Sequence, residues 1–210
     1  IVLLDSDFSR MPEIVLEGRR VVNNVQRSAS LFLVKNLFSL LLTIFSTVLM
    51  ISYPLMPSQV SLISMFTIGI PGFLLALEPN KSRIKGHFLG NVLLKALPAG
   101  LTDFFAVSAL VICGHVFNIP STDIATASTL LIAVVGFMIM IKISHPFNNF
   151  KYGILALNIF GLIFCGLFLD NLFAMSDMSN ICILLTIVFG FAAESMFRYI
   201  TIFVEFIQNR

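Results

Sequence analysis

The composition of this chain is that of a membrane protein. Of its 210 residues, 58% are hydrophobic and 11% are charged, and the charged share is about half that of an average soluble domain. Thirteen Lys and Arg residues against eleven Asp and Glu residues leave a net charge of +2, and no nucleic-acid partner is expected. Because one membrane span needs about 20 apolar residues, the length allows roughly six or seven spans.

The first 29 residues are predicted to lie outside the membrane. Residues 1–4 are typical of a short buried strand and residues 5–9 of a loop. Pro12 is a favourable first helical residue, and apart from Gly18 no helix breaker follows until Tyr53-Pro54. A helix of that length would measure roughly 60 Å, about twice the hydrocarbon core, so its first half is predicted to form a cytosolic stalk.

Six apolar spans follow, which predicts an all-α membrane protein. Its fold class is a six-transmembrane-helix bundle with a cytosolic helical stalk on the first helix. The predicted spans are 30–52, 60–77, 88–117, 124–143, 152–169 and 180–200. The third span is long for one bilayer, so we expect its end near His115 to tilt or project.

The distribution of basic residues predicts the orientation of these spans. Lys and Arg occur before the first span, after the second, around the fourth connector and near the end of the chain. The other connectors, 53–59, 118–123 and 170–179, contain neither residue. By the positive-inside rule, both ends of this multi-pass chain are expected to be cytoplasmic.

Polar residues follow one face of the first span. Asn36, Ser39 and Thr43 are spaced i, i+3 and i+7, so their side chains share a helical face. Such a stripe can line an ion path, and it can equally stabilise helix packing. An ion-path role is favoured for Asn36, which lies midway along the span beside Lys35, while the hydroxyls fit both interpretations.

The second span is interrupted at Gly69-Ile70-Pro71-Gly72. Pro71 has no N–H to donate to the carbonyl of Thr67, four residues earlier. That carbonyl and the Thr67 hydroxyl together indicate a site for a hard cation, while Gly69 and Gly72 allow the backbone to unwind or another helix to approach. The alternative is a simple proline kink, and adjacency to the polar stripe of the first span favours the cation site.

Asp103 lies deep in the third span and needs a partner or a proton. It is therefore a candidate ion or proton site, with Lys95, two turns earlier, as a possible neutralising group. A position at a wet edge of the bundle is the alternative. Glu194 and Arg198 are spaced i, i+4 on the last span, which predicts a structural ion pair.

Three stretches of the sequence carry a family resemblance: Leu4-Asp-Ser-Asp-Phe-Ser9, Glu17-Gly-Arg-Arg-Val-Val-Asn-Asn24, and Thr67-Ile-Gly-Ile-Pro-Gly72 with Ala76-Leu-Glu-Pro-Asn80. With them the chain resembles the C-terminal membrane half of P-type cation-transporting ATPases, in particular bacterial pumps of the calcium-ATPase-like kind. The resemblance implies that 1–29 is the end of the phosphorylation domain plus the cytosolic stalk. It also implies that 30–210 is the six-helix transmembrane domain, helices five to ten of the pump.

The resemblance also implies individual roles. Asn36 and Thr67 stand where the family has ion-binding residues, and they are the predicted metal ligands. Ser39 and Ile68 stand where animal calcium pumps have a Glu and an Asp. The transported ion is expected to be calcium or another small cation. Divalent cations prefer several carboxylates, and the first two spans offer none, so Asp103 or a helix outside this chain would have to supply the negative charge. The predicted ion-binding or path residues are Asn36, Ser39, Thr43, Thr67, Gly69, Pro71 and Asp103.

The predicted function is therefore the transmembrane ion-transport portion of an ATP-driven cation pump. No catalytic residue is expected here, because the sequence lacks the Asp-Lys-Thr-Gly phosphorylation motif and a nucleotide-binding domain. ATP and Mg²⁺ would bind elsewhere in the intact pump, and this fragment alone is expected to be inactive. The expected partners are the lipid bilayer and the N-terminal part of the same pump. The alternatives are a freestanding six-span carrier, a membrane interaction module, or a scaffold bundle without an ion path.

Overall fold

The computed structural model describes residues 11–78, 80–84 and 86–208, and within these ranges it contains helices and no strand. The predicted strand at 1–4 and most of the predicted end of the phosphorylation domain lie outside the described residues. The helices are α1 (Met11–Val48), α2 (Pro57–Ser64), a π-helical segment (Met65–Gly69), α3 (Ile70–Ala76), α4 (Phe88–Val116), α5 (Ser121–Ser144), α6 (Asn149–Phe168), α7 (Asp170–Phe173) and α8 (Asn180–Gln208).

Six helical stretches in the described ranges are long and apolar enough to cross a membrane. They are α1, the α2–α3 stretch, α4, α5, α6 and α8, and they confirm the predicted six-helix all-α bundle. Two details differ from the prediction. The last helix continues past residue 200 to Gln208, and the preceding connector contains the short helix α7.

Helix α1 is continuous over 38 residues, from Met11 to Val48, which corresponds to about 57 Å. Its buried side chains begin only at Gln26, so the part of α1 before Gln26 contributes no side chain to the core of the bundle. We call this part, Met11–Val25, the stalk. The side of the bundle from which it projects is the stalk side. Buried Leu31, Phe38 and Leu42 mark the inward face of α1 after the stalk.

Helices α4 and α5 form the centre of the bundle. Small side chains such as Ala96, Ala99 and Ala127 are fully buried in the main core cluster, where they let neighbouring helices approach closely. Helices α6 and α8 expose broad apolar faces, including Phe160 and Phe191. In a bilayer such faces contact lipid rather than water.

Two ion pairs tie helix ends together on the stalk side. Lys142, near the end of α5, lies 2.9 Å from Glu205 near the end of α8. Lys151, at the start of α6, lies 3.1 Å from Glu78, just after α3. These contacts bring the charged ends of four helices to one edge of the bundle.

The packing of α1 against α4 depends on a missing side chain. A Cβ placed on Gly100 would lie 2.8 Å from Cδ2 and 3.2 Å from Cβ of Leu37. We therefore expect Gly100→Ala to destabilise the protein by about 1–3 kcal/mol, which thermal unfolding in detergent will measure. Gly153→Ala is the matched control, because a Cβ there meets nothing within 4 Å. An unfolding midpoint for Gly100→Ala equal to that of the control would contradict this account.

Candidate functional site

The second span contains one widened turn instead of an unwound segment. In the π-helical segment, the N–H of Ile70 donates to the carbonyl of Met65, five residues earlier. Pro71 comes next and has no N–H, so residue 71 donates neither to Phe66 nor to Thr67, its acceptors in the π and α registers. The helix then resumes as α3, so Pro71 is accommodated without a break in the span.

The close helix contact at this turn comes from a glycine outside it. A Cβ on Gly69 or Gly72 would meet no atom closer than 3.6 Å, so neither position requires glycine for space. On α5, by contrast, a Cβ on Gly136 would lie 2.7 Å from Cγ2 of Thr67. Gly136 therefore allows Thr67 to pack directly against α5.

A small cavity of about 40 Å³ lies between α1, α2, the π-helical segment, α4 and α5. Most of its wall is apolar, but four polar side chains line it: Lys35, Ser64, Thr67 and Asp103. A cavity of this size holds a water-sized occupant. We call it the central cavity.

Of the polar groups that line the central cavity, the carboxylate of Asp103 is the most costly to bury. Its residue is only 2% exposed, and its Oδ1 is buried without a hydrogen-bond partner among the described residues. A buried, unpaired carboxylate is costly in a membrane unless a cation or a proton neutralises it. Lys35, which is half-buried, is the one basic side chain among the residues that line the cavity.

Two hydroxyls of the central cavity have their oxygen lone pairs available. The Thr67 hydroxyl donates to the carbonyl of Ile63 at 2.8 Å, and the Ser64 hydroxyl donates to that of Val60 at 2.6 Å. Since a hydroxyl has one donor and two acceptor sites, both oxygens remain suited to contact a cation as neutral ligands.

The predicted residues of α1 lie on another face. Asn36 and Thr43 are exposed, and Ser39 is half-buried with its hydroxyl 3.4 Å from that of Tyr53. None of the three lines the central cavity. The structure thus brings together Thr67 and Asp103, beside the turn that includes Gly69 and precedes Pro71, and it leaves the polar stripe of α1 facing outward.

Two expectations for other charged residues are also resolved. Asp103 is buried and does not lie at a wet edge. Lys95 lines a different pocket, and Lys35 is the basic residue among the described ones that line the central cavity with Asp103. The predicted ion pair between Glu194 and Arg198 is confirmed, with a distance of 2.7 Å.

The stalk-side part of α1 is attached to the end of the second span. Asn23, Asn24 and Arg27 all donate hydrogen bonds to backbone carbonyls at the end of α3 or in the connector after it. The acceptors are Leu75 (3.2 Å from Arg27 Nη1), Ala76 (2.9 Å from Asn24 Nδ2), and Asn80 and Ser82 (each 3.0 Å from Asn23 Nδ2). Side chains that bond the last carbonyls of a helix stabilise that end. We call these three residues the stalk clamp.

Sequence reasoning missed the roles of Lys35, Ser64 and the stalk clamp. The clamp had a signal, because adjacent asparagines at the end of the Glu17–Asn24 motif are groups that bond free backbone carbonyls. The inward position of Lys35 could also have been predicted from the sequence. It lies on the same face of α1 as Leu31 and Phe38, at i+4 and i−3, and these belong to the buried stripe.

Comparison with known proteins finds relatives among bacterial cation-transporting ATPases. No family model matches the chain. The probable cation-transporting ATPase exp7 of Streptococcus pneumoniae is 32% identical over 176 residues, which are 80% of this chain and 23% of that protein. The calcium-transporting ATPase CtpE of Mycolicibacterium smegmatis is 33% identical over 162 residues, 70% of this chain and 20% of that protein. The chain is homologous to bacterial P-type cation-transporting ATPases.

The match covers only a small part of each relative. The chain spans about a fifth of the length of these P-type ATPases. The similarity therefore confirms the resemblance seen in the sequence and makes this chain a membrane segment homologous to part of such a pump. A more distant relative, the calcium-transporting ATPase of Bacillus subtilis, is 27% identical over 78 residues.

Removing one bond of the stalk clamp will loosen the end of α3. We expect Asn24→Ala to lower the stability by about 1 kcal/mol, because the part-buried carbonyl of Ala76 loses its side-chain donor. The unfolding midpoint in detergent measures the effect. Val25→Ala, a truncation at an exposed neighbouring position, is the control and should change the midpoint less. Equal midpoints for the two variants would refute the clamp.

Proposed function

We propose that this chain is the ion-transport portion of an ATP-driven cation pump. The central cavity is the place where the cation pauses as it crosses the membrane. In the intact pump, ATP and Mg²⁺ bind outside this chain and an aspartyl phosphate forms there. The remaining part of the pump and the lipid bilayer are its partners, and the chain alone hydrolyses no ATP.

One observation carries the proposal: a buried carboxylate oxygen without a protein partner beside a small cavity. Asp103 would supply the charge, and Thr67 and Ser64 would supply neutral oxygens. The π-helical segment adds backbone carbonyls near Pro71, the type of ligand that discontinuous membrane helices offer to ions. A scaffold bundle without an ion path has no need for this costly arrangement.

The ligand set bears on the identity of the cation. Calcium takes six to eight oxygens and favours several carboxylates, whereas Asp103 supplies the single carboxylate among the described residues that line the central cavity. Two relatives are named calcium-transporting ATPases, so calcium stays a candidate if further ligands come from the rest of the pump. A small monovalent cation or a proton needs fewer ligands and fits the central cavity as it stands.

Lys35 offers a second way to neutralise the carboxylate of Asp103, besides a bound cation. When the cation leaves, the ammonium group of Lys35 can neutralise Asp103 from within the protein. When the cation is present, it takes over that role and Lys35 turns towards the exposed side of α1. Release and binding are then an exchange between two positive charges at one carboxylate.

The stalk clamp supplies the mechanical link. Because Asn23, Asn24 and Arg27 bind the end of α3, a movement of the stalk displaces α3 and the π-helical segment before it. The cavity is lined by residues of that segment and of α1. Phosphorylation elsewhere in the pump would thus alternate access to the cavity by moving the stalk.

The charge distribution supports the proposed orientation. Arg27, Arg83, Lys95, Lys142 and Lys151 all lie near the stalk side. By the positive-inside rule, the stalk side is the cytoplasmic side of the bacterial plasma membrane.

The carboxylate test uses the full-length pump that carries this chain. We expect Asp103→Asn to raise the cation concentration for half-maximal ATPase activity at least tenfold, roughly 1.4 kcal/mol of binding free energy, because the variant removes the charge that holds the cation. Asp170→Asn, an exposed acid in a connector, is the control and should keep the affinity of the unaltered pump.

A second variant tests the neutral oxygens. Thr67→Ala should weaken the same affinity several-fold, roughly 1 kcal/mol for one lost ligand oxygen. Thr186→Ala is its match, because that hydroxyl makes the same bond to a carbonyl four residues earlier but does not line the cavity. If Asp103→Asn and Thr67→Ala both keep the normal cation affinity, the central cavity is not the ion site.

The polar stripe of α1 needs a separate test. Asn36 is predicted to be a ligand, yet it lies outside the central cavity. We expect Asn36→Ala to weaken cation affinity only if a segment beyond this chain closes over that face of α1 and completes a second ligand cluster. Measuring the Asn36→Ala, Asp103→Asn double variant decides this. Additive losses indicate separate sites, and a non-additive loss indicates one site.

A further inference from the structure

A second and larger pocket, of about 380 Å³, opens at the stalk side of the bundle. It lies between α1, the connector after α3, and the stalk-side ends of α4, α5 and α8. Basic groups from four of these elements line it: Arg27, Arg83, Lys95, Lys142 and His145. No Asp or Glu is among the described residues that line it. We call it the basic pocket.

The positive charge of the basic pocket is only partly neutralised. Lys142 is paired with Glu205. Arg27 donates to the carbonyl of Leu75 and is attracted by Glu78. For Arg83 and Lys95, no carboxylate of the described residues lies within ion-pair distance. The charges that act most strongly on Lys95 are repulsive ones, from Arg27 and Lys142.

Like charges held together in a partly enclosed pocket are unfavourable unless an anion joins them. The amide of Gln26 also lines the pocket and adds a neutral donor. Arg and Lys with an amide donor form a set that suits the several acceptor oxygens of a phosphate group.

We propose that the basic pocket binds a phosphate group, namely the headgroup phosphate of an acidic phospholipid. The position favours a lipid over a soluble anion, because the pocket lies where membrane helices end. Basic pockets between such ends bind lipid headgroups. Ile84 and Ile143 add apolar wall, which suits the glycerol and first acyl carbons. The proposal concerns binding and does not depend on the central cavity.

The bound headgroup would connect elements that the proposed pump moves. Asn23 and Arg27 belong to the stalk clamp and line the basic pocket as well. Arg83 lies on the connector after α3, and Lys95 on α4. An acidic lipid therefore joins the stalk, the second span and the third span, and it stabilises the arrangement in which they meet.

Thermal unfolding of the full-length protein in neutral detergent tests the binding. Three probes are added at equal concentration without Mg²⁺: dioctanoyl phosphatidylglycerol, dioctanoyl phosphatidylcholine and inorganic phosphate. We expect the acidic lipid to raise the unfolding midpoint by roughly 2–4 °C at saturation, and the neutral lipid to leave it within error. An equal shift with inorganic phosphate would overturn the lipid assignment, and no shift with either anion would overturn the site.

Charge-removing variants localise the effect. Arg83→Gln and Lys95→Gln should each cut the shift caused by phosphatidylglycerol by half or more. Lys81→Gln is the matched control, because Lys81 is an exposed cation of the same connector that does not line the pocket, and it should keep the full shift. Each variant is compared with its own midpoint in the neutral lipid, so a general loss of stability does not count. Equal shifts in all three variants would refute the proposal.

Discussion

The membrane interior offers no water to a buried charge, and the centre of this bundle is arranged around that constraint. Asp103 is almost completely buried and has one oxygen without a partner among the described residues. Such a group persists only if a positive charge or a proton compensates it. Lys35, the hydroxyls of Thr67 and Ser64, and the widened turn before Pro71 all surround the same small cavity. The proposed cation site would account for these features together.

Helix α1 connects this centre to the outside of the bundle. Arg27 and Lys35 are eight residues apart on α1, and Lys95 and Asp103 are eight residues apart on α4. Eight residues are slightly more than two helical turns, about 12 Å, so each pair lies along one face of its helix. Arg27 and Lys95 line the basic pocket, and Lys35 and Asp103 line the central cavity. The two cavities therefore share their walls.

The sequence was sufficient for the fold because hydropathy alone locates membrane helices. It was less sufficient for the site, which depends on how each helix is rotated. Asn36 and Lys35 are neighbours, yet the buried stripe of Leu31, Phe38 and Leu42 places Lys35 at the wall of the central cavity and Asn36 outside it. A proline predicts a disturbed helix but not its form. The widened turn and the contact between Gly136 and Thr67 are set by packing between helices distant in sequence.

The shared walls have an electrostatic consequence. In the proposed pump, positive charge in the basic pocket would oppose the passage of a cation between the stalk side and the central cavity, because at about 12 Å it is little screened inside a membrane protein. A phosphate group held by Arg83 and Lys95 would lower that potential and leave the carboxylate of Asp103 unchanged. The anion would then act on the access of the cation rather than on its ligands. In this way the composition of the surrounding lipid would influence transport without any contact between lipid and ion.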